Sequence, residues 1–186
     1  MKRFAIQLLA LMMITPAFSQ VEHLKFMGIP LDGSISTFQS KLTAKGINYD
    51  AYASKILPKG CRAFKGVFSG EKASIYVYYN EKTKTVYRAK AVIEYMSKER
   101  GEYKLRDFSS MLQDKYGSDL VSEGEQNDHP SFLLGVSDNE GINMIGLISL
   151  CISDPEYSFM ENCFLHVDYE DKANSLSDKK SNMDDL

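Results

Sequence analysis

The chain has 186 residues, and its 22 Lys and Arg against 25 Asp and Glu give a formal net charge of −3. This length suits one domain with a substantial core. The acidity is mild and spread along the chain, which argues against nucleic acid as the main partner.

The N-terminus has the three parts of a secretory signal peptide. Residues 1–3 are basic at two positions, residues 4–14 are largely apolar, and Ala17 and Ser19 form a small-x-small cleavage site. The apolar run is well short of the roughly 20 residues that a transmembrane helix needs. We therefore expect a signal peptide over residues 1–19, and no stable membrane insertion after its cleavage. Because Gln20 rather than Cys follows the cleavage site, we expect a periplasmic or secreted product without a lipid anchor.

The first half of the exported part predicts one helix and three strands. Ile35, Phe38 and Leu42 recur at the spacing of one helix face, and Gly46 is a suitable helix end. After a segment rich in polar residues, alternating apolar side chains indicate strands separated by short turns. The predicted elements are a helix over 35–45 and strands over 62–69, 72–79 and 85–95.

The second half repeats this order of elements. Leu105, Phe108 and Met111 or Leu112 form another helical stripe, which Gly117 ends. The predicted elements are a helix over 103–116 and strands over 131–137, 141–152 and 163–169. Residues 170–186 are polar and almost free of apolar side chains, so we expect a flexible tail.

These elements predict an α+β fold for a single domain over residues 20–169. Its two helix-plus-three-strand units, residues 31–95 and 101–169, suggest an internal repeat, although the identities between them are few. Helices that alternate with meandering antiparallel strands are expected to cover one face of a single sheet. The other face would stay partly open, and a binding function would be located there.

Four side chains are the candidate binding face. Tyr76 and Tyr78 share one face of their strand, and Arg88 and Lys90 share a face of the next strand. Tyr and Arg are enriched in protein interfaces, so these four could form an amphipathic patch. Half-exposed tyrosines are also common on any antiparallel sheet.

Three cysteines remain after the expected cleavage, in a compartment that permits disulfides. Cys151 and Cys163 lie in two strands that could pair in antiparallel fashion, so a bridge between them is the simplest expectation. Cys61 could replace either one, and all three could also be buried and reduced.

No catalytic or metal-binding pattern stands out in the sequence. Ser69 and Lys72 fit a Ser-x-x-Lys pattern, but they lie in a predicted hairpin turn instead of on a helix. His166 and Asp168 share a strand face and could begin an acid–base or metal site, yet no third ligand follows at a usable spacing. Cys61 has no activating base near it in the sequence. We therefore predict no catalytic residue, no metal and no cofactor.

The opening of the exported part, His-Leu-Lys-Phe-Met-Gly-Ile-Pro-Leu-Asp-Gly-Ser over residues 23–34, resembles a group of uncharacterised exported proteins of the Bacteroidetes. That group has no established activity to carry over. In its order of elements, the chain also resembles the β-lactamase-inhibitor-protein-like fold and small outer-membrane assembly lipoproteins, which work by binding other proteins. The second resemblance implies a binding role and transfers no residue.

Taken together, the sequence predicts an exported, non-enzymatic binding module of the cell envelope, whose partner could be another envelope protein. The alternative is a small hydrolase or other enzyme whose residues come together only in the folded chain.

Overall fold

The computed structural model describes residues 21–95, 97–118, 121–126, 128–155 and 162–183. The predicted signal peptide lies outside these residues. The helices are α1 (Ile35–Ala44), α2 (Ala51–Ile56), α3 (Lys98–Tyr116) and α4 (Lys172–Met183). The strands are β1 (Lys25–Phe26), β2 (Ile29–Pro30), β3 (Asn48–Tyr49), β4 (Cys61–Phe68), β5 (Glu71–Tyr79), β6 (Val86–Tyr95), β7 (Val121–Gln126), β8 (His129–Ser137), β9 (Met144–Ser153) and β10 (Cys163–Asp171).

Eight of these strands form one antiparallel sheet, in the order β3-β4-β5-β6-β10-β9-β8-β7. The two halves of the chain meet in its centre, where β10 pairs with β6 so that Val167 lies opposite Ala91. Hairpins account for the neighbouring pairs on both sides. The last strand therefore returns to the middle of the sheet and joins the two halves.

The core lies against one face of this sheet, here called the covered face. Helix α1 contributes Ile35, Phe38 and Leu42 to it, and Ser34 caps this helix by accepting a hydrogen bond from the Thr37 amide. Helix α3 adds the apolar stripe that begins with Leu105. The small hairpin β1–β2 fits beside these helices, where aromatic rings stack through Phe26, Phe68 and Phe108.

The other two helices lie at the margins of the sheet. Helix α2 lies beside β4, and the Ala63 amide of that strand donates a hydrogen bond to Ser54 Oγ of the helix at 2.9 Å. Helix α4 lies near the end of the sheet where β10 finishes, and Asn174 Nδ2 donates from it to the Leu31 carbonyl oxygen. The face opposite the core is here called the open face, and helix α4 reaches one end of it, where its Ser175 and Lys179 contact Glu170 of β10.

The α+β class and the antiparallel sheet are confirmed, with more elements than the sequence patterns indicated. The unpredicted strands are short or polar: β7 reads Val-Ser-Glu-Gly-Glu-Gln and forms an exposed edge. The predicted flexible tail is wrong over the residues described, because β10 continues to Asp171 and α4 follows it. Ser175 of this helix is buried, so polar side chains anchor the segment where apolar ones are lacking.

The expected disulfide between Cys151 and Cys163 is also wrong, and all three cysteines are free. Strands β9 and β10 do pair, but Cys151 lies opposite His166, whereas Cys163 lies opposite Tyr95 of β6. Cys151 belongs to the open face and Cys163 to the covered face. This separation follows from strand register, which the chain order alone does not determine.

Candidate functional site

The candidate site is the centre of the open face, where strands β5, β6, β10 and β9 lie side by side. On each strand, buried residues alternate with half-buried ones, so every second side chain reaches this face. The pairing places Tyr76 opposite Lys90 and Tyr78 opposite Arg88, as the sequence-based patch requires. The four predicted side chains are therefore neighbours.

A fifth residue, Asp168 of β10, joins this group. Arg88 donates to its carboxylate through Nε, at 2.9 Å to Oδ1 and 3.1 Å to Oδ2, and through a second guanidinium nitrogen. The guanidinium carbon also lies 5.0 Å from the centre of the Tyr78 ring. Because Asp168 stabilises the charged guanidinium, the pKa of Arg88 is raised above its usual value. Arg88 is thus held in one orientation by an ion pair and an aromatic ring.

The tyrosine and the nearby cysteine are poor nucleophiles at neutral pH. Burial, and secondarily the neighbouring Cys61, raise the pKa of the Tyr78 hydroxyl. Burial likewise raises the pKa of the Cys61 thiol, against a smaller opposing effect of Arg88. Both groups are therefore protonated and neutral, which suits contact with a partner better than attack on a substrate.

The second polar group of the open face is a cross-strand pair. Ser153 Oγ and His166 Nε2 lie 2.7 Å apart, which is hydrogen-bond distance. Burial, reinforced by the charge of Lys90, lowers the pKa of His166 to about 4. The imidazole is therefore neutral at pH 7 and can accept the hydroxyl proton.

This Ser–His pair was missed by the sequence reasoning, although His166 itself was considered. Ser153 is the last residue of β9 and lies thirteen positions before its partner. Only the antiparallel register of β9 and β10, in which Ser153 lies opposite Phe164, brings the two side chains together. Asp168, the other residue considered with His166, turns its carboxylate to Arg88 instead.

A depression of about 720 Å³ extends the site along β4, β5, β6 and β10. Its apolar floor includes Val67, which is 54% exposed, together with Val92 and Phe164. Lys65, Lys72 and Glu94 also line it, and the β5–β6 register brings Glu94 beside Lys72. The open face thus combines an aromatic and charged centre with a shallow apolar wing.

Two further properties of the described residues bear on function. No helix among them combines the length and apolarity that crossing a membrane requires. Nowhere in the same part of the chain do three or more His, Cys, Asp or Glu side chains gather so that they could hold a metal ion.

The chain was also compared with known proteins. No protein-family model, no curated protein and no solved structure matches it.

Proposed function

We propose that this chain is an exported, non-enzymatic binding module and that its open sheet face holds another protein of the cell envelope. The observation that carries the proposal is the centre of that face, where Tyr78, Arg88 and Asp168 form one ordered group and helix α4 contacts the neighbouring Glu170. An uncovered sheet face with tyrosine and arginine at its centre is a typical composition for a protein interface.

The restricted conformations of these side chains favour binding. A long arginine side chain normally loses conformational entropy when a partner immobilises it. Here Asp168 and the Tyr78 ring already restrict Arg88 in the free protein, so Arg88 loses less conformational entropy when a partner binds. The neighbouring Tyr76 adds a rigid ring with few rotatable bonds.

Site-specific photo-crosslinking in the producing cell tests this proposal. A photoreactive phenylalanine analogue replaces Tyr76 on the open face in one variant, and Tyr103 of α3 in the matched control. Tyr103 is 67% exposed but belongs to the helix that packs on the covered face. We expect one discrete protein adduct from position 76 and none from position 103. Equal adducts at the two positions, or none at either, would contradict the proposal.

A second candidate function, a small hydrolase, rests on the Ser153–His166 contact. A neutral histidine at 2.7 Å could take the proton of the serine hydroxyl while the oxygen attacks an ester carbonyl. Against this function, His166 Nδ1 is buried and has no hydrogen-bond partner among the described residues. The carboxylate that orients histidine in serine hydrolases therefore has no counterpart in this part of the chain.

A fluorophosphonate reagent separates the two functions, because it labels activated serines. The binding module predicts no modification of Ser153 when intact protein is analysed by mass spectrometry. Stoichiometric labelling of Ser153 that is lost in a His166→Gln variant would favour the hydrolase instead.

A further inference from the structure

The apolar wing of the open face has two cations at its margins without an ion-pair partner. Lys72 of β5 and Lys90 of β6 form no salt bridge with any residue that the structure describes. Lys65, by contrast, binds Asp50 at 2.8 Å. Register places Asp168 opposite Lys90, but its carboxylate is engaged by Arg88. Lys72 in the wing and Lys90 in the adjoining centre are therefore two lysines without a salt bridge among the described residues, in a chain whose net charge is −3.

The distance between these two cations follows from the strand register. Lys90 lies opposite Tyr76, which is four residues beyond Lys72 on β5. At about 3.3 Å per residue, the two lysines are separated by about 13 Å along the strand direction. Between them lie the pair Ser74 and Val92 and the apolar floor of the depression.

An extended peptide matches this spacing. In an extended chain, the residues at positions i, i+2 and i+4 point to one side, and the first and the last are about 13 Å apart. Carboxylates at positions i and i+4 of the peptide could therefore form ion pairs with Lys72 and Lys90 at the same time. An apolar side chain at i+2 would then lie over the floor that Val92 helps to form. In a helix, the same distance would separate residues about nine positions apart, with no such regular match to the sheet.

Resting on the proposed function, we propose that the partner binds this wing through an extended segment with acidic residues at i and i+4 and an apolar residue at i+2. The two lysines bind the carboxylates, and the depression between them accepts the apolar side chain. Charge complementarity selects such a segment over a basic one. The separation of the lysines selects it over a fatty acid, which has a single carboxylate.

Glu94 lies two residues after Val92, as Lys72 lies two residues before Ser74, so the strand register brings it beside Lys72 and its charge acts against this binding. It is exposed, and its Oε1 accepts a hydrogen bond from Asn162 at 2.6 Å. Its negative charge would repel an incoming carboxylate, so the inference predicts tighter binding when that charge is removed.

Nuclear magnetic resonance titration of the purified protein with capped synthetic peptides tests the inference. The probe is Thr-Glu-Thr-Ile-Thr-Glu-Thr. One comparison peptide has the same composition but adjacent glutamates, another has lysine in place of both glutamates, and dodecanoate represents a lipid carboxylate. We expect the probe to shift amide resonances of β4, β5 and β6, and to bind more weakly as salt rises.

Charge-reversal variants then locate the contacts. We expect Lys72→Glu and Lys90→Glu each to weaken probe binding by about threefold or more, the range of one exposed ion pair. Lys41→Glu is the matched control, since Lys41 is an exposed lysine of α1 and belongs to no part of the open face. It should leave binding unchanged, and Glu94→Gln should strengthen it.

Several results would overturn the inference. One is the absence of resonance shifts with the probe, and another is binding of dodecanoate in place of the probe. The inference also fails if the peptide with adjacent glutamates binds as tightly as the probe, or if Lys41→Glu weakens probe binding as much as Lys72→Glu and Lys90→Glu do. If position 76 still forms its protein adduct in the crosslinking experiment, only the nature of the segment is refuted. If that adduct is also missing, the proposed function fails as well.

Discussion

The ion pair between Arg88 and Asp168 is the residue-scale feature on which the open face depends. The Asp168 side chain is 11% exposed and that of Arg88 is 36% exposed. Because Arg88 keeps some contact with water, loss of its partner costs less than in a fully buried pair. We expect Asp168→Asn to lower the free energy of unfolding by about 2 kcal/mol, measured by urea denaturation.

An exposed pair provides the control for this variant. Asp107, 43% exposed, accepts a hydrogen bond from Lys104 at 3.4 Å on the surface of α3. Asp107→Asn should change the free energy of unfolding by less than about 0.5 kcal/mol. Equal effects of the two substitutions would mean that the Arg88–Asp168 pair contributes no more than an ordinary surface contact.

His166 makes stability depend on pH in a defined window. Its pKa is about 4 in the folded protein, below the value of about 6.5 expected in the unfolded chain. Between these values the unfolded chain binds more protons, so the free energy of unfolding falls as the pH falls from about 6.5 to about 4. Urea denaturation at about pH 7 and about pH 4.5 measures this loss.

Two variants identify His166 as the source. His166→Gln removes the titrating group and should flatten the pH dependence in that window. Lys90→Gln removes a charge that opposes protonation of the imidazole, so it should reduce the dependence without abolishing it. If the slope between these pH values is the same in the wild-type protein and in His166→Gln, another group causes it.

At the scale of elements, the contact of α3 with β10 requires a glycine. A Cβ on Gly101 would lie 2.3 Å from Cys163 Sγ, which is too close for van der Waals contact. Alanine normally stabilises a helix relative to glycine by about 1 kcal/mol. We expect Gly101→Ala to lower the melting temperature instead, because the fully buried Cys163 or the helix would have to shift to make room for the Cβ.

A double substitution tests the stated cause. Cys163→Ala removes the sulfur, so Gly101→Ala should be much less destabilising in that background, which a double-mutant cycle measures. Gly124→Ala in β7 is the control, since the nearest atom to its Cβ is Ser131 Oγ at 3.5 Å. An equal cost of Gly101→Ala with and without Cys163 would refute the packing explanation.

Helix α4 shows where local sequence pattern is a poor guide to an element. Its sequence has few apolar residues, and Leu176 is exposed. The helix is held instead by polar contacts to distant parts of the chain, such as Asn174 to Leu31 and Asn80 to Asp178. Those partners are 98 or more residues away, so hydrophobic periodicity within the segment gives no sign of them.

At the scale of the whole molecule, the pairing of β6 with β10 makes the two halves one cooperative unit. We expect a single urea transition with the same midpoint by far-ultraviolet circular dichroism and by tyrosine fluorescence. A fragment of residues 21–95 should not fold alone, because it leaves β6 without its neighbour β10. Two separate transitions, or a folded fragment, would show that the halves are independent.

The sequence by itself determined the class of fold and part of the candidate site. Alternation along β5 was sufficient to place Tyr76 and Tyr78 on one face of their strand, and alternation along β6 did the same for Arg88 and Lys90, because side chains of a strand point to opposite sides in turn. The β5–β6 register in the structure puts the two pairs on the same face. Helical spacing likewise located α1 and most of α3, whose apolar stripes are buried.

Only the tertiary structure decided which strands are neighbours. The position of β10 beside β6 brings Asp168 to Arg88, and its register with β9 brings Ser153 to His166 and separates Cys151 from Cys163. Each of these results depends on pairing between segments far apart in the chain. A one-residue shift in such pairing moves every side chain to the opposite face, and patterns within a single strand contain no information about that choice.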